Sequence, residues 1–368
     1  MDLKDVVKQF ETEGITTEIN SFGSGLINST YQVITKGQNT PDYILQSINS
    51  DIFKNVPELT TNIARITNHI KEKLNSKYTP KELQRHSLTV ISTNNNQGFY
   101  KDGESKYWRM FTLIEGSKVF EVLKNPVQAE LCGLAFGEFQ SMLSDLPAPP
   151  LFEVLPGFHN TALRIDKFKD RVKENPFERL EEVQEEVDFL LLFEEEMRSI
   201  TKMGSEGILP LRTVHQDAKL SNILFDENDE VLCVIDFDTV MPGYLCYDFG
   251  DTVRGGMNTG KEDDENLDNV TLDMDLFKGF ARGYYQASSS FITSAEIKTL
   301  AFGAKLLTYE QAVRFLDDYL NGDQYYQTFK EKHNLIRTRA QIKFFKELIT
   351  NFEEMDSYVL SLYNSSLS

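Results

Sequence analysis

What is scarce in this chain narrows its class first. Three of its 368 residues are cysteine (Cys132, Cys233 and Cys246), and no two of them form a C-x-x-C pair. An odd, scattered set gives no complete disulfide framework and fits a reduced, cytosolic setting. Histidine is also rare, at five residues, and no clustered His and Asp ligands suggest metal-dependent hydrolysis. Lysine and arginine number 38 against 57 acidic residues, a formal charge of −19. A chain so poor in positive charge lacks the basic face that nucleic acid or an anionic membrane requires. The acidic excess reads most simply as a self-repelling, soluble surface, though it would also suit a cationic substrate. No uninterrupted apolar run is long enough to span a bilayer. The opening MDLKDVVKQFETEG has neither a basic n-region nor an apolar h-region. It reads as an amphipathic helix ended by Gly14, not a targeting peptide.

What is present is enough for a sizeable core: 40% of residues are hydrophobic, and the length allows two lobes. Ile15 to Phe22, Ser29 to Thr35 and Asp42 to Ile48 alternate as strands. Val56 to Leu74 carries apolar residues at helical spacing (Leu59, Ile63, Ile66, Ile70). His86 to Thr93 is a further strand candidate, and Gln97 to Leu113 reads as a hairpin turning at Lys101-Asp102-Gly103. From Pro126 onward helix dominates, with Ala129 to Leu143, Phe177 to Met203, Asp275 to Gln286, Ser294 to Tyr319 and Thr338 to Leu362 as candidates. The proline-rich stretch from Pro147 to Gly157 reads as a surface connection, and the acidic run from Lys261 as a solvated loop. The expectation is an α+β chain with a β-rich N-terminal lobe, residues 1–114, and a mainly helical C-terminal lobe, residues 115–368. A ligand cleft belongs at their junction.

The strongest chemical signal is HQDAKLSN, His215 to Asn222, which has the H-x-D-x-x-x-x-N spacing of a kinase catalytic loop. Asp217 is the candidate base for an acceptor hydroxyl, and Asn222 offers an amide oxygen to magnesium. Lys219 is a candidate for neutralising the γ-phosphate, and His215 for tying the loop down. The apolar strand Val231 to Ile235 then delivers Asp236, after a hairpin turn around Glu227-Asn228-Asp229. Asp236 is the second candidate metal ligand, and Asp238 a weaker one. The D-F-G string at Asp248 mimics a kinase metal motif. Asp248 and Asp251 fit structural roles better, bracing the loop or capping a helix. In the N-terminal lobe, Gly23, Ser24 and Gly25 lie between two strands, where a phosphate-covering loop belongs. A plain hairpin turn reads equally well there, because Asn28 stands where G-x-G-x-x-G would have its third glycine. Gln46 occupies the position where kinases usually carry a lysine on the third strand. That substitution leaves open a degenerate pseudokinase or a family that uses other cations. Leu113, at the end of the hairpin, sits where backbone groups would meet adenine.

With these motifs in place, the chain resembles the aminoglycoside phosphotransferase-like kinases, which share the protein-kinase two-lobe architecture and act on small molecules. Within them it looks most like the N-acetylhexosamine 1-kinases. The segments that carry the resemblance are GSGLINSTYQV, YILQSIN, AFGEFQ, LRTVHQDAKLSNIL, IDFDTVMPGYLCYDFGD, VRFLDDYLNGDQYY and HNLIRTRAQIK, spread over nearly the whole chain. The resemblance implies ATP and Mg2+ as cofactors, Asp217 as base, and Asn222 and Asp236 as metal ligands. It implies a small amino sugar as the acceptor, phosphorylated at its anomeric hydroxyl, and it accommodates Gln46. It also places Arg314 and Tyr325 in the sugar site. From the residues alone, Arg314 is a helix arginine suited to a surface salt bridge, and Tyr325 a core or rim residue. Asn28 could face the sugar or the phosphates. A monomer is expected. The competing readings are a kinase of another small alcohol (an aminoglycoside, homoserine or choline) and a non-catalytic nucleotide-binding regulator. A cationic acceptor would need a carboxylate cluster, for which Asp317, Asp318 and Asp323 are the candidates.

Overall fold

In the computed structural model, which describes residues 2–23 and 27–365, the alternating N-terminal segments pair antiparallel. They form β1 (Ile15–Ser21), β2 (Ser29–Lys36) and β3 (Tyr43–Ile48). β4 (Val90–Ile91), β5 (Tyr100–Lys101) and β6 (Tyr107–Thr112) complete a six-stranded sheet in the order β1-β2-β3-β6-β4, with β5 paired to β6. The helix expected up to Gly14 is shorter: α1 (Leu3–Val7) stops, and Phe10 bridges to Thr93 while the Glu11 N–H bonds the Ser92 carbonyl at 2.9 Å. Sheet pairing satisfies those backbone groups in place of another helical turn. Val6, Val7 and Phe10 then join Val33, Tyr43, Leu45, Trp108 and Met110 in one buried cluster.

α2 (Val56–Leu74) follows its apolar stripe, with the Asn55 side chain accepting from the Glu58 N–H as N-cap. The strand expected over His86 to Thr93 shrinks to β4, because Thr79 and Glu82 close a capping box that starts α3 (Pro80–His86). At the hairpin tip the Asp102 carboxylate accepts from Glu104 N, Lys106 N and Trp108 Nε1 at 2.8, 3.0 and 2.9 Å.

Two compact units can be distinguished. The first contains Met1–Val119, Met142–Pro156 and Ile223–Met241; the second contains Phe120–Ser141, Gly157–Asn222 and Pro242–Ser368. The first unit therefore takes in two segments from beyond residue 114, among them the hairpin of strands Ile223–Phe225 and Val231–Val234.

The second unit is helical: α4 (Pro126–Leu143), α5 (Thr161–Glu174), α6 (Gln184–Leu192), α7 (Glu194–Met197), α8 (Ser199–Ser205), α9 (Leu245–Gly256), α10 (Met274–Ser288), α11 (Ser294–Leu320), α12 (His333–Thr350) and α13 (Phe352–Ser365). The single helix expected over Phe177 to Met203 is three short ones, and the one expected over Thr338 to Leu362 breaks at Asn351. The long α11 runs through the unit, with Leu306, Leu307, Ala312, Val313 and Leu316 in its core. α9 and α11 approach closely at Gly250 and Gly303. A Cβ at Gly250 would overlap the Gly303 carbonyl oxygen, and one at Gly303 the Cys246 carbonyl oxygen. The acidic run after Lys261 is anchored, with Asp263 bonded to His333 Nε2 at 3.0 Å and Glu265 to Lys330 at 2.9 Å. All three cysteines are free and buried. No helix among the described residues is long and apolar enough to cross a membrane.

Candidate active site

Within the second unit, the segment His215 to Asn222 leaves the short strand Arg212–Val214 and ends in a 3-10 turn, Leu220–Asn222. Its shape is imposed from outside. Asp248, in the first turn of α9 and fully buried, accepts from the His215 N–H (2.8 Å), the Gln216 N–H (2.7 Å) and Gln140 Nε2 (2.6 Å). Gln140 in turn accepts from the Tyr284 hydroxyl. Burial pushes the Asp248 carboxyl up from its ordinary value, and the donors around it offset only part of that. Gln216 is held in the left-handed region, at φ 63°, a conformation that costs a non-glycine residue energy unless its surroundings fix it. The Thr252 hydroxyl ties down the Ala218 carbonyl at 2.6 Å.

Asp217 stands on this braced backbone with a third of its side chain exposed. Lys219 Nζ lies 2.7 Å from its Oδ2. Asn222 Nδ2 donates to the Asp217 carbonyl (2.8 Å) and to Oδ2 (3.2 Å), an orientation that turns the Asn222 amide oxygen away from Asp217. Burial opposes the charge on Asp217, but Lys219 and the Asn222 amide outweigh it and hold the carboxyl below its usual range. The group is therefore an ionised acceptor at neutral pH.

Arg314 and Tyr325 also lie in the second unit. Arg314 is half-buried on α11, its guanidinium 5.4 Å from the Phe158 ring centroid and 5.7 Å from that of Tyr326. Burial works against its charge, and Tyr326 and Glu310 more than restore it. Arg164 on α5 is its neighbour: burial and then repulsion from Arg314 lower the Arg164 pKa. Tyr325 is 63% exposed, with its ring edge-on to Tyr326 at 4.9 Å. The three acids that could have welcomed a cation are engaged elsewhere. Asp318 accepts from the Gln324, Tyr325 and Tyr326 N–H groups and from Asn334. Asp323 pairs with Arg179 at 2.6 Å, and Asp317 faces Arg171 at 3.7 Å. Arg164 carried no motif in the sequence, and Tyr326 only closes the segment VRFLDDYLNGDQYY; folding brings α5 and the loop after α11 to Arg314.

In the first unit, Ile223 pairs with Val234, and two residues later Asp236 is exposed in a left-handed turn (φ 66°) before the 3-10 turn Phe237–Thr239. Asp238 is buried in a bidentate ion pair with Arg109 and accepts from Asn28 Nδ2 at 2.7 Å. Both of its oxygens are thus engaged within the unit. Asn28, a candidate for facing the sugar or the phosphates, and Gln46, at the usual position of the strand lysine, have both amide ends engaged inside the unit. Asn28 Oδ1 accepts from the Asn49 N–H at 3.0 Å. Gln46 Oε1 accepts from Arg109 Nε (2.9 Å), and its Nε2 donates to Thr30 (3.1 Å). The missing strand lysine thus has a neighbour in its place: Arg109 stands opposite Gln46 across the β3–β6 register. Leu113 uses its N–H on the Asp42 carbonyl at 2.8 Å. Gly23 is exposed at φ 73°, a backbone that suits glycine; Ser24 and Gly25 lie outside the described residues.

Among the described residues no group of three or more His, Cys, Asp or Glu side chains is placed to hold a metal ion. Magnesium does not demand one, since it keeps several waters and binds through one or two protein oxygens plus substrate phosphates. The Asn222 amide oxygen and the exposed Asp236 carboxylate are hard oxygen donors of that kind.

Comparison with known proteins adds the lineage. Residues 18–286 match the model of the phosphotransferase enzyme family. Among solved structures, the chain is similar to an aminoglycoside phosphotransferase from Alicyclobacillus acidocaldarius (12% identity, TM-score 0.60, covering 96% of this chain and 97% of that one). It is also similar to the ethanolamine kinase of Plasmodium vivax (14% identity, TM-score 0.54, 93% and 85% covered). A third is an amicoumacin kinase in complex with AMP-PNP and Ca2+ (12% identity, TM-score 0.59, 94% and 92% covered). At such identities the structures speak for a shared fold, with a small antiparallel sheet and a larger helical part. The family match spans most of the sequence, and this chain belongs to the phosphotransferase enzyme family.

Proposed function

We propose that this protein transfers the γ-phosphoryl group of ATP to a hydroxyl of a small neutral sugar, with the anomeric hydroxyl of an N-acetylhexosamine as the acceptor. The observation that carries the reading is the Asp217 carboxylate, held ionised on a braced loop and addressed by both Lys219 and Asn222. In the reaction, Asp217 accepts the acceptor's proton as that oxygen bonds to the γ-phosphorus and the bond to the β–γ bridging oxygen breaks. Phosphoryl transfer through a loose transition state asks the protein for aim and charge compensation more than for basicity. Lys219, at 47% side-chain exposure, is placed to exchange its bond to Asp217 for a phosphate oxygen. Asn222 and Asp236 are the groups that would hold Mg2+, which neutralises phosphate charge when bound. ATP as donor is supported by the nucleotide analogue bound in a structural neighbour. Residues 1–114 are proposed to serve the nucleotide and residues 115–368 the acceptor.

Charge supports this acceptor class. Arg164 and Arg314 repel a cation, and the nearby carboxylates are already engaged, which disfavours choline, ethanolamine or a polyamine antibiotic. A neutral ring with hydroxyls and an acetamide carbonyl offers acceptors to guanidinium groups and an apolar face to Tyr325. The test is a coupled ADP-release assay over N-acetylglucosamine, N-acetylgalactosamine, choline, ethanolamine and kanamycin, with NMR of the product. Phosphate on O1 of an N-acetylhexosamine is expected; turnover of cationic compounds alone would overturn the acceptor assignment. Asp217→Asn should abolish turnover while keeping nucleotide binding.

A further inference from the structure

The brace on Asp217 has a second side, which the sequence motif does not contain. His159 lies 56 positions before His215 in the chain and is 6% exposed. Its Nε2 is 2.9 Å from the Gln216 carbonyl oxygen, and its Nδ1 is 2.8 Å from Glu310 Oε1. That carbonyl belongs to the peptide bond joining Gln216 to Asp217, so its direction sets the direction in which Asp217 leaves the backbone. Asp248 holds the N–H of the same Gln216 from the opposite side, at 2.7 Å. Gln216 Nε2 adds a third tether, to the Pro242 carbonyl at 2.9 Å. Three tethers on one left-handed residue exceed what a surface turn requires.

The chemistry of the two His159 partners fixes its state. A peptide carbonyl can only accept, and a carboxylate can only accept, so a ring bonded to both must donate from both nitrogens. Glu310 is 1% exposed and takes a further bond from the Thr161 hydroxyl at 2.6 Å. Burial opposes its charge, but His159 first, then Arg164 and Arg314, hold it below the usual carboxylate range. The charged or titratable groups facing the ring are Glu310 on α11 and Tyr247 on α9, with Arg164 on α5 and Arg314 on α11 reaching it through Glu310. Glu310 lies one helical turn before Arg314 on α11, so the proposed acceptor side and the base's peptide are tied to one buried pair.

We propose that His159 is a positioning residue for phosphoryl transfer: a doubly protonated imidazolium, clasped by Glu310, that fixes the Gln216–Asp217 peptide and thereby the aim of Asp217. The proposal deepens the kinase reading and rests on Asp217 as base.

The experiment has one arm that does not depend on catalysis. Nitrogen-15 NMR of histidine-labelled wild-type protein, with the His159 signals assigned by their loss in His159→Gln, should show both ring nitrogens protonated at neutral pH. A neutral tautomer there overturns the proposal. In the kinetic arm, His159→Gln should lower kcat by roughly 10- to 100-fold, the scale on which a misplaced catalytic group costs rate, with KM for ATP unchanged. Glu310→Gln, which removes the partner that clasps the ring and changes little volume, should likewise lower kcat with KM for ATP unchanged. A wild-type kcat in either variant counts against His159. Retained turnover in Asp217→Asn would instead refute the base assignment and leave the NMR result standing.

Discussion

Replacing Asp248 is the most demanding test of how the candidate loop is held. Its carboxylate, with no exposed surface, receives three donors: the N–H groups of His215 and Gln216 and the side chain of Gln140. In Asp248→Ala all three lose their acceptor in a dry site. An orphaned buried donor costs about 1–3 kcal/mol, so the sum is roughly 3–9 kcal/mol, of the order of a whole domain's stability. Asp248→Asn is milder. Its single oxygen can take the place of Oδ2 and keep His215 and Gln140, leaving only the Gln216 N–H against an amide NH2, for about 1–3 kcal/mol. Urea denaturation followed by circular dichroism should rank the proteins wild type, Asn, Ala, and kcat should fall in the Asn variant because Gln216 loses one tether. An Ala variant with the wild-type midpoint would refute the reasoning, since three buried donors would then be finding water or other partners.

Other outcomes follow from the same geometry. Because Lys219 is the main influence lowering the Asp217 pKa in the unliganded protein, Lys219→Met should move the acid limb of the kcat/KM profile to higher pH; the proposed base acts only when ionised, so activity is lost earlier as pH falls. An unchanged limb would show that the two do not interact in the working enzyme. Arg109→Met leaves Asp238 buried with only Asn28 for company. Breaking a buried ion pair from one side costs about 3–5 kcal/mol, readable as a lowered denaturation midpoint. Gly303→Ala would force a methyl into the Cys246 carbonyl. Overpacking of this kind costs about 1–3 kcal/mol, checked by thermal unfolding.

The sequence was most legible where structure is set locally. α2 carries its own cap and apolar stripe, α11 carries a capping box and is apolar on most sides, and both could be read to within a residue or two. α5 was missed because TALRIDKFKDRVKE is so charged that its three buried positions do not stand out. The strand expected from His86 gives way to a helix because the Thr79–Glu82 capping box starts one at Pro80. Within the candidate site, the His215 to Asn222 spacing is contiguous and visible. Arg109 is not, because its relation to Gln46 exists only in the cross-strand register. His159 is invisible for the same reason: nothing near it in the chain announces a partner more than fifty residues away.

The glycine crossing of α9 and α11 has a consequence for anyone recombining this enzyme with its relatives. One rod carries Glu310 and Arg314; the other carries Asp248; and their separation is set by two residues that have no side chain. A chimera that imports a new α11 with a bulkier residue at position 303 would push α9 outward and drag the loop carrying Asp217 with it. Any change sought through α11 would then arrive together with a displaced Asp217, so the two helices should be exchanged as a matched set.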